Sequence, residues 1–473
     1  MLQKWLPRRA AGRKTAARAH KVVLPFAEHR IRVDMLSFAA EKVVKRLHQA
    51  GFEAYVVGGA VRDLLLGLEP KDFDVATDAT PEEVRKIFRR SRIIGRRFPI
   101  VHVMVGPETI EVTTYRGGDA HTHNEHGRIM KDASYGNQQQ DALRRDFTCN
   151  ALYYDPARQV VVDYQNGVAD VRARRLVMIG DAAARYQEDP VRILRAARLS
   201  GKLGFEVVPN TAAPIADYAH LIRQEPLARL VDEVMKIIFS GHARACLRQL
   251  EKLGLNGQVH PLLDVLAPAA AEDAHNIAAL SLNSTDARLR ADKSVSVGFV
   301  LAAVLWPQVA AAWADYQQQG MRAAAALNSA IADVRGQMDR GWGVPQRYSA
   351  TMREIWVLQT QFEHRRGARP FKLLTQPRFR AAYDFLLLRT ELNEVPAELA
   401  QWWQQFQAAS EEDRQQMSQA APTTDSGEVK KRRRRPRKKA ASGGKTEGGR
   451  PKTGRSRWEA MKRVRRGKRL LPG

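Results

Sequence analysis

Cysteine is nearly absent from this 473-residue sequence, which contains only Cys149 and Cys246. Two cysteines cannot form a disulfide framework, so we expect a reducing compartment. The phosphate-binding motif GxxxxGK[ST] is missing, and so are the HRD and DFG motifs of protein kinases. These absences exclude a P-loop enzyme and a protein kinase.

Long apolar segments are also scarce. The N-terminus is charged but has no apolar stretch of the kind a signal peptide needs, and its Arg-rich composition leaves a mitochondrial transit peptide as an alternative. Residues 294–314 carry no charge, yet their Ser, Gly, Pro307 and Gln308 favour a buried helical segment broken at the proline. We therefore expect a soluble protein without an integral membrane segment.

Negative charge is lacking at both ends of the chain. Residues 1–32 carry nine Lys or Arg and one acid, and residues 430–473 carry twenty Lys or Arg and two acids. Together they account for the whole net charge of +26, so residues 33–429 are formally neutral. Dense runs such as Lys430–Arg435 favour a polyanion as partner over a merely solubilising tail, because each neutralised phosphate releases counterions.

Hydrophobic periodicity predicts an α+β head followed by helices. In the head we expect a helix that starts with a capping box of Thr80 and Glu83, a hairpin around Gly106-Pro107 and an irregular polar loop over residues 117–140. From Asp189 onward the pattern is helical, and the sequence is basic and disordered from about residue 421. The predicted strands are Ala54–Val57, Asp72–Thr77, Ile100–Met104, Ile110–Tyr115, Leu152–Tyr154 and Val160–Asp163.

The most informative segment joins a glycine turn to two acidic residues. Gly58 and Gly59 follow a strand, and a turn without side chains lets backbone N–H groups approach a phosphate, with Arg62 as a bidentate donor. Asp72 and Asp74 alternate along the next predicted strand, so their carboxylates face one side and can share a divalent metal. This combination indicates a protein that handles nucleotides.

A second motif, Arg144-Arg145-Asp146-Phe147-Thr148, follows the polar loop. Its guanidinium groups can hold phosphates, and Asp146 can supply a third metal ligand or a ribose contact. An interdomain salt-bridge cluster explains the motif equally well. Glu111 is a rival third carboxylate because it alternates with Ile110 and Val112, and we rank Asp146 above it.

A third motif, Glu188-Asp189-Pro190-Val191-Arg192, begins a predicted helix that Asp189 caps. Arg192, Arg195 and Arg198 are spaced three apart and share one side. Asp189 with Arg192 offers an acceptor and a donor to a base edge. An ordinary capped amphipathic helix is the alternative, and the local sequence alone favours it.

In this order, the three motifs resemble the class II nucleotidyltransferase family of bacterial poly(A) polymerases and CCA-adding tRNA nucleotidyltransferases. The resemblance spans roughly residues 51–406. It implies a two-metal mechanism in which Asp72 and Asp74 bind catalytic Mg²⁺ or Mn²⁺, with Asp146 as the catalytic acid. It also implies a nucleotide-binding set that takes ATP as substrate: Gly58, Gly59, Arg62, Arg145, Asp189, Arg192 and Arg195.

Within this family, the block Ile93–Val103, the helical region Arg378–Asp384 and the basic tail resemble the poly(A) polymerase branch. We therefore expect template-independent addition of AMP to RNA 3′ ends in the bacterial cytoplasm, with a role in RNA decay. CCA addition to tRNA is the nearest alternative, and a non-catalytic RNA-binding protein is an alternative of another class. The intact acidic motifs argue against the latter.

The resemblance implies five regions. They are a basic N-terminal arm (1–33), a catalytic nucleotidyltransferase head with a mixed β-sheet (34–187), a helical neck for the nucleotide base and RNA (188–270), a helical body (271–420) and a disordered basic RNA-binding tail (421–473).

Two further residue groups have simpler explanations. His121, His123 and His126 have spacing that could suit zinc, but they lie in the predicted loop without a nearby cysteine, so we expect no metal there. Trp402, Trp403 and Phe406 could stack on RNA bases, yet their helical spacing favours core packing.

Overall fold

The computed structural model describes residues 21–95, 99–117, 121–123, 129–132, 135–255, 257 and 259–421. The basic segments 1–20 and 422–473 and residues 96–98 of the branch-specific block lie outside these ranges. Predictions on those segments therefore remain predictions.

The head is organised around one mixed eight-stranded sheet in the order β1-β10-β9-β2-β3-β6-β5-β4. Neighbouring strands run antiparallel except β3 and β6, which pair in parallel. Two small sheets, β7-β8 and β11-β12, lie outside it. The strands are β1 (Val22–Pro25), β2 (Ala54–Val57), β3 (Asp74–Thr77), β4 (Ser91–Ile94), β5 (Ile100–Val105), β6 (Glu108–Thr114), β7 (His121–His123), β8 (Ile129–Asp132), β9 (Leu152–Asp155), β10 (Val160–Asp163), β11 (Arg175–Leu176) and β12 (Glu206–Val207).

Helices cover the head and form the rest of the described chain. They are α1 (Phe26–His29), α2 (Phe38–Gln49), α3 (Gly59–Leu65), α4 (Pro81–Ile87), α5 (Gln138–Arg144), α6 (Gly167–Arg172), α7 (Ala182–Glu188), α8 (Val191–Leu203), α9 (Pro209–Ala212), α10 (Ile215–Tyr218), α11 (Leu227–Ile238), α12 (Ala243–Lys252), α13 (Pro261–Leu266), α14 (Ile277–Arg290), α15 (Val297–Val304), α16 (Trp306–Gln318), α17 (Ala323–Gly341), α18 (Ser349–Gln359), α19 (Arg369–Leu374), α20 (Phe379–Glu391), α21 (Ala397–Ala408) and α22 (Glu411–Ala420). The predicted fold class, an α+β head followed by helices, is confirmed.

The sheet positions the central turn because its middle strand is apolar and fully enclosed. All four residues of β2 are buried, and the strand pairs with β3 on one side and β9 on the other. α2 packs against this layer, and its N-terminus is capped by Ser37, whose hydroxyl accepts from the Ala40 N–H at 3.1 Å. The end of β2 is thereby held at a fixed place.

The uncharged segment over residues 294–314 forms two packed helices. α15 and α16 meet at Leu305, just before Pro307, which lies in the first turn of α16 where its missing N–H costs little. Residues 300–306 are all buried. The predicted buried, broken helix is confirmed. In the described part of the chain no single helix is long and apolar enough to cross a membrane, while this pair, bent by 52°, passes on length and composition only.

Aromatic side chains fill the core of the last helices. Trp403 and Phe406 are fully buried, and the Trp402 ring stacks on Phe406 with 4.7 Å between centroids. The prediction of core packing is confirmed for this group. Cys149 and Cys246 are both buried and free, so they form no disulfide.

Candidate active site

The glycine turn lies between β2 and α3. Gly58 has φ +77°, a conformation that favours glycine, and a Cβ there would meet the Arg145 guanidinium at 3.4 Å. Its N–H donates to the Leu152 carbonyl at 3.1 Å, which ties the turn to β9. That N–H is therefore already engaged, and Gly58 serves the site by its conformation and small size.

The acidic pair differs from the prediction in one respect. β3 begins at Asp74, so Asp72 is an exposed residue before the strand and the predicted strand start is wrong. The two residues still line one cavity. Parallel pairing places Asp74 directly opposite Glu111 of β6. Burial and the charge of Glu111, with a smaller effect of Asp72, raise the pKa of Asp74 to about 6, while Arg145 opposes the shift.

The crowded carboxylates suit a divalent cation, which would favour their charged forms. No three His, Cys, Asp or Glu side chains in the described ranges come close enough together to bind an ion by themselves. Mg²⁺ is commonly bound by one or two carboxylates plus water and substrate phosphates, and Asp74 together with Asp72 or with Glu111 fits that kind of site.

Two arginines are held in place beside the turn. Arg62 is buried and donates to Asn150 Oδ1 at 2.6 Å and to Asp63 Oδ1 at 2.8 Å. Arg145 donates to the Asp141 carboxylate and the Tyr153 hydroxyl, each at 3.1 Å. Both guanidinium groups are therefore oriented before any ligand binds.

Asp146 is engaged by an arginine of the neck. Its Oδ2 lies 2.7 Å from Arg195 Nη2, an ion pair without hydrogen-bond alignment, and its Oδ1 accepts from the Phe147 N–H at 2.8 Å. Burial alone would raise the pKa of Asp146, but Arg195 and these hydrogen bonds hold it below its ordinary value. Asp146 thus links head and neck, while Glu111 is the carboxylate that lies beside Asp74.

Asp189 does not cap the next helix, contrary to the prediction. It is the C-cap of α7, and Pro190 occupies the N-cap of α8. Both Asp189 oxygens accept from Arg229 Nη2 of α11 at 3.0 Å. Burial alone would raise the pKa of Asp189, but Arg229 and Arg192 outweigh it and hold that pKa below its ordinary value.

The arginines of α8 are positioned by acids on three other elements. Arg192 donates to Glu188 at 3.0 Å and to the Arg185 carbonyl at 2.7 Å. Arg195 contacts Asp146, and Arg198 contacts Glu233. The predicted shared face of α8 is confirmed, because all three side chains line the same cavity.

That cavity has a volume of about 550 Å³ and brings together the three sequence motifs. A second cavity of about 790 Å³ shares several of its walls and contains Asp72. Of the predicted residues, the first cavity contains Gly58, Gly59, Arg62, Asp74, Arg145, Asp146, Asp189, Arg192 and Arg195, together with Glu111.

Sequence reasoning missed several residues of this site. Asp141 lies four positions before Arg145, a helical spacing that was available as a signal. Asn150 lies two residues beyond the second motif and holds Arg62. Arg229 carried no local signal, because it is forty residues from its partner.

The described part of the predicted polar loop contains regular secondary structure. A short hairpin of β7 and β8 lies within residues 117–140, and α5 begins at Gln138. His121 and His123 fall on β7, but their side chains, like His126 as a whole, lie outside the described part of the structure. The expectation of no metal there stays a prediction.

Paired carboxylates beside a glycine turn, on a mixed sheet with a helical neck, define a nucleotidyltransferase. Three families match the sequence: "Poly A polymerase head domain" at residues 54–177, "Probable RNA and SrmB- binding site of polymerase A" at 204–266 and "Polymerase A arginine-rich C-terminus" at 319–439. The chain belongs to the poly(A) polymerase family and is a polynucleotide adenylyltransferase.

Individual relatives are also similar in sequence. Poly(A) polymerase I of Salmonella typhimurium is 41% identical over 407 residues, 84% of this chain and 88% of the relative. The CCA-adding enzyme of Bacillus pumilus is 36% identical over 212 residues, 45% of this chain and 51% of the relative. The crystal structure of the Bacillus stearothermophilus CCA-adding enzyme in complex with CTP has a TM-score of 0.50 at 24% identity, over 78% of this chain and 81% of that one, and supports the fold.

Proposed function

We propose that this enzyme adds AMP from ATP to RNA 3′ ends without a template and releases pyrophosphate. The observation that carries the proposal is the single cavity in which Asp74 and Glu111 lie with the glycine turn and with Asp189 and Arg192. A site of this composition offers a place for a triphosphate, a reacting phosphorus and a base.

The reaction is an in-line displacement. The RNA 3′-hydroxyl oxygen forms a bond to the α-phosphorus of ATP, the bond from that phosphorus to the bridging oxygen breaks, pyrophosphate leaves, and the hydroxyl proton passes to solvent. Catalysis consists of positioning and electrostatic stabilisation, without a covalent enzyme intermediate. A bound Mg²⁺ or Mn²⁺ would lower the pKa of the RNA 3′-hydroxyl and would neutralise charge on the phosphates.

The roles of the side chains follow from their contacts. We assign the metal to Asp72, Asp74 and Glu111, because Glu111 is paired with Asp74 and is half exposed to the cavity. Asp146, ranked above Glu111 on sequence, receives instead the role of holding Arg195.

The phosphate and base contacts come from oriented groups. Arg62 and Arg145 present fixed positive charge to the triphosphate. Asp189 and Arg192 offer an acceptor and a donor to the adenine edge, since no template strand selects the base. Arg229 holds the Asp189 carboxylate for that purpose.

The division into arm, head, neck, body and tail enters this proposal unchanged. The head match (54–177) lies within the proposed head and the RNA-binding match (204–266) within the proposed neck, while the arginine-rich match (319–439) spans parts of the body and the tail. RNA is the proposed partner of the neck and of the basic ends. Tails added by such an enzyme would mark bacterial RNA for processing or decay.

The test gives the purified chain Mg²⁺, ATP or CTP, and either an unstructured RNA or a tRNA lacking its 3′ end. We expect long A tails on the unstructured RNA. An Asp72→Ala/Asp74→Ala double variant serves as control and should extend neither RNA.

Two outcomes contradict the proposal. Incorporation of CTP confined to the truncated tRNA identifies a CCA-adding enzyme. RNA binding without extension in any tube, indistinguishable from the double variant, identifies a non-catalytic RNA-binding protein.

A further inference from the structure

Two lysines in the larger cavity have positive charges that the fold does not neutralise. Lys71 precedes Asp72, and Lys202 lies near the end of α8. Both line the 790 Å³ cavity, and Lys202 also lines the neighbouring one. Within the described ranges, the structure records no ion pair for either side chain.

The other cations of that cavity differ in this respect, because each is matched by a carboxylate. Arg62 pairs with Asp63, and Lys236 pairs with Asp232 at 2.7 Å. The arginines of the neck pair in the same way: Arg195 with Asp146, Arg198 with Glu233, and Arg229 with Asp189 and Glu225. The cations of the cavity without a recorded ion pair are thus the two lysines, and they lie beside the carboxylates of Asp72 and Asp74, which the proposed function assigns to the metal.

The surroundings of Lys202 make this charge costly. The side chain is half-buried, and burial lowers its pKa below the ordinary value. Asp63 opposes the shift, but the carboxylate is already bound to Arg62, and Arg62, Arg198 and Lys71 add repulsion. A partly buried cation among other cations is stabilised by an anionic ligand.

We propose that Lys71 and Lys202 form a subsite for the β- and γ-phosphates of ATP and for the pyrophosphate that leaves. The subsite deepens the proposed function and rests on it for the identity of the ligand. Its chemical class is a polyphosphate anion carrying several negative charges, for which ammonium groups act as compact point charges.

The position of the lysines agrees with the direction of displacement. In an in-line reaction the attacking and leaving oxygens lie on opposite sides of the reacting phosphorus. Asp74 lines both cavities, Glu111 lines only the smaller one, and Lys71 lines only the larger one. We therefore place the leaving group on the Lys71 side of Asp74 and the α-phosphate, with the Arg145 guanidinium, on the Glu111 side.

The decisive measurement is direct binding of inorganic pyrophosphate by isothermal titration calorimetry, with Mg²⁺ present. We expect Lys202→Met to weaken pyrophosphate binding about tenfold, the loss of one charge-assisted hydrogen bond. Binding of AMP, which lacks the β- and γ-phosphates, should stay within about twofold of the wild type on the same reasoning. Lys202→Arg should retain part of the affinity because it keeps the charge.

Lys236→Met is the matched control, because this lysine lines the same cavity but is already paired. It should leave pyrophosphate binding unchanged. The thermal midpoint of Lys202→Met should equal or exceed that of the wild type, since the change removes an unpaired charge. Lys71→Met should also weaken pyrophosphate binding. The loss of binding free energy in the double variant should differ from the sum of the two single losses, as expected for two groups that contact one ligand.

Two results overturn the subsite. One is an unchanged pyrophosphate affinity in Lys202→Met. The other is weakened binding of a fluorescent oligoadenylate with unchanged pyrophosphate affinity, which assigns the lysines to RNA phosphates. Pyrophosphate binding is measured without turnover, so it is independent of the extension assay. If the wild type does not extend RNA but Lys202→Met still weakens pyrophosphate binding, the proposed function is disproved and the anion site is supported.

Discussion

At the residue scale, Asp74 and Glu111 form an acidic pair on adjacent strands of the site. Asp74 has little solvent around it, and its neighbour carries the same charge. Two like charges on adjacent strands destabilise each other unless a cation lies between them. The arrangement is therefore unfavourable for the protein alone and favourable for a charged ligand.

Replacing Glu111 by alanine should lower kcat about 100-fold or more while the fold stays intact, as for other electrostatic groups of an active site. The Glu111 side chain is 48% exposed and its recorded ion pair is with His102 at 3.3 Å, so little stability is lost. Single-turnover extension and the thermal midpoint are the two measurements.

Glu108→Ala in the same strand is the control, because Glu108 contacts Ser37 away from the carboxylate pair. The role given to Glu111 is contradicted by a Glu111→Ala variant with wild-type kcat. In that case Asp146, which the sequence ranking favours, regains the assignment.

Arg229 should control which nucleotide is accepted. Arg229→Ala releases both Asp189 oxygens, so the carboxylate is free to turn away from the base. We expect the ratio of kcat/KM for ATP to that for CTP to fall about tenfold, comparable to the loss of one charge-assisted contact. Steady-state kinetics with both nucleotides measures it.

Lys236→Met on the same helix is a suitable comparison, since Lys236 pairs with Asp232 rather than with Asp189. An unchanged ratio in Arg229→Ala would show that Asp189 needs no support from α11.

At the element scale, strong local patterns predicted the structure well. The hairpin of β5 and β6 around Gly106 and the capping box of α4 at Thr80 and Glu83 both occur. Each depends on residues close together in sequence. Such signals need no knowledge of the tertiary contacts.

The errors occurred where a distant partner competes with a local signal. Asp189 has the sequence context of an N-cap, but Arg229 offers its carboxylate two charged hydrogen bonds. Asp72 has the alternation of a strand residue, but the sheet pairing begins at Asp74. Tertiary contacts decided each case.

The buried Asp286 should make the helical region less stable as pH rises. It lies on α14, and its Oδ2 accepts from the Ala243 N–H at the start of α12 at 2.8 Å. Burial raises the pKa of Asp286 to about 6, from an ordinary 3.8. The folded state therefore binds the Asp286 proton more tightly than the unfolded state does. The stability that this proton contributes is fully present below pH 3.8 and is lost as pH rises through 6.

Asp286→Asn keeps the acceptor and removes the titration. Between pH 4 and 7 the thermal midpoint of the wild type should fall relative to that of Asp286→Asn, which cancels the contributions of other groups. Parallel curves for the two proteins would show that Asp286 does not titrate in this range.

At the scale of the whole molecule, charge is separated from the catalytic body. Residues 33–429 are formally neutral, whereas residues 430–473 carry a net charge of +18. Deleting residues 430–473 should weaken RNA binding and reduce its salt dependence, because fewer phosphates are neutralised. Turnover on short primers should persist, since the site lies within residues 57–229.

RNA affinity measured across a series of salt concentrations tests this prediction. A truncated protein with the same slope of log K against log salt concentration would exclude the tail as an RNA arm. A variant in which a neutral linker of equal length replaces residues 430–473 is the control, because it removes the charge and keeps the chain length.

The sequence predicted which residues line the cavity better than it predicted which of their side chains contact each other. Nine of the ten nominated residues line one cavity, and Asp72 lines the adjoining one. The ranking of Glu111, the support from Arg229 and the unpaired Lys202 all depend on which strands and helices become neighbours. A single sequence contains no direct record of those distances.

The parallel pairing of β3 and β6 fixes how much length variation the head can accept. Glu111 lies opposite Asp74 only because the chain between the two strands ends in a turn of fixed length at Gly106-Pro107. Insertion or deletion of one residue between that turn and Glu111 would bring Ile110 or Val112 to this position and turn the acidic side chain to the opposite face. The length of this hairpin is therefore constrained by the position that the Glu111 carboxylate must occupy beside Asp74.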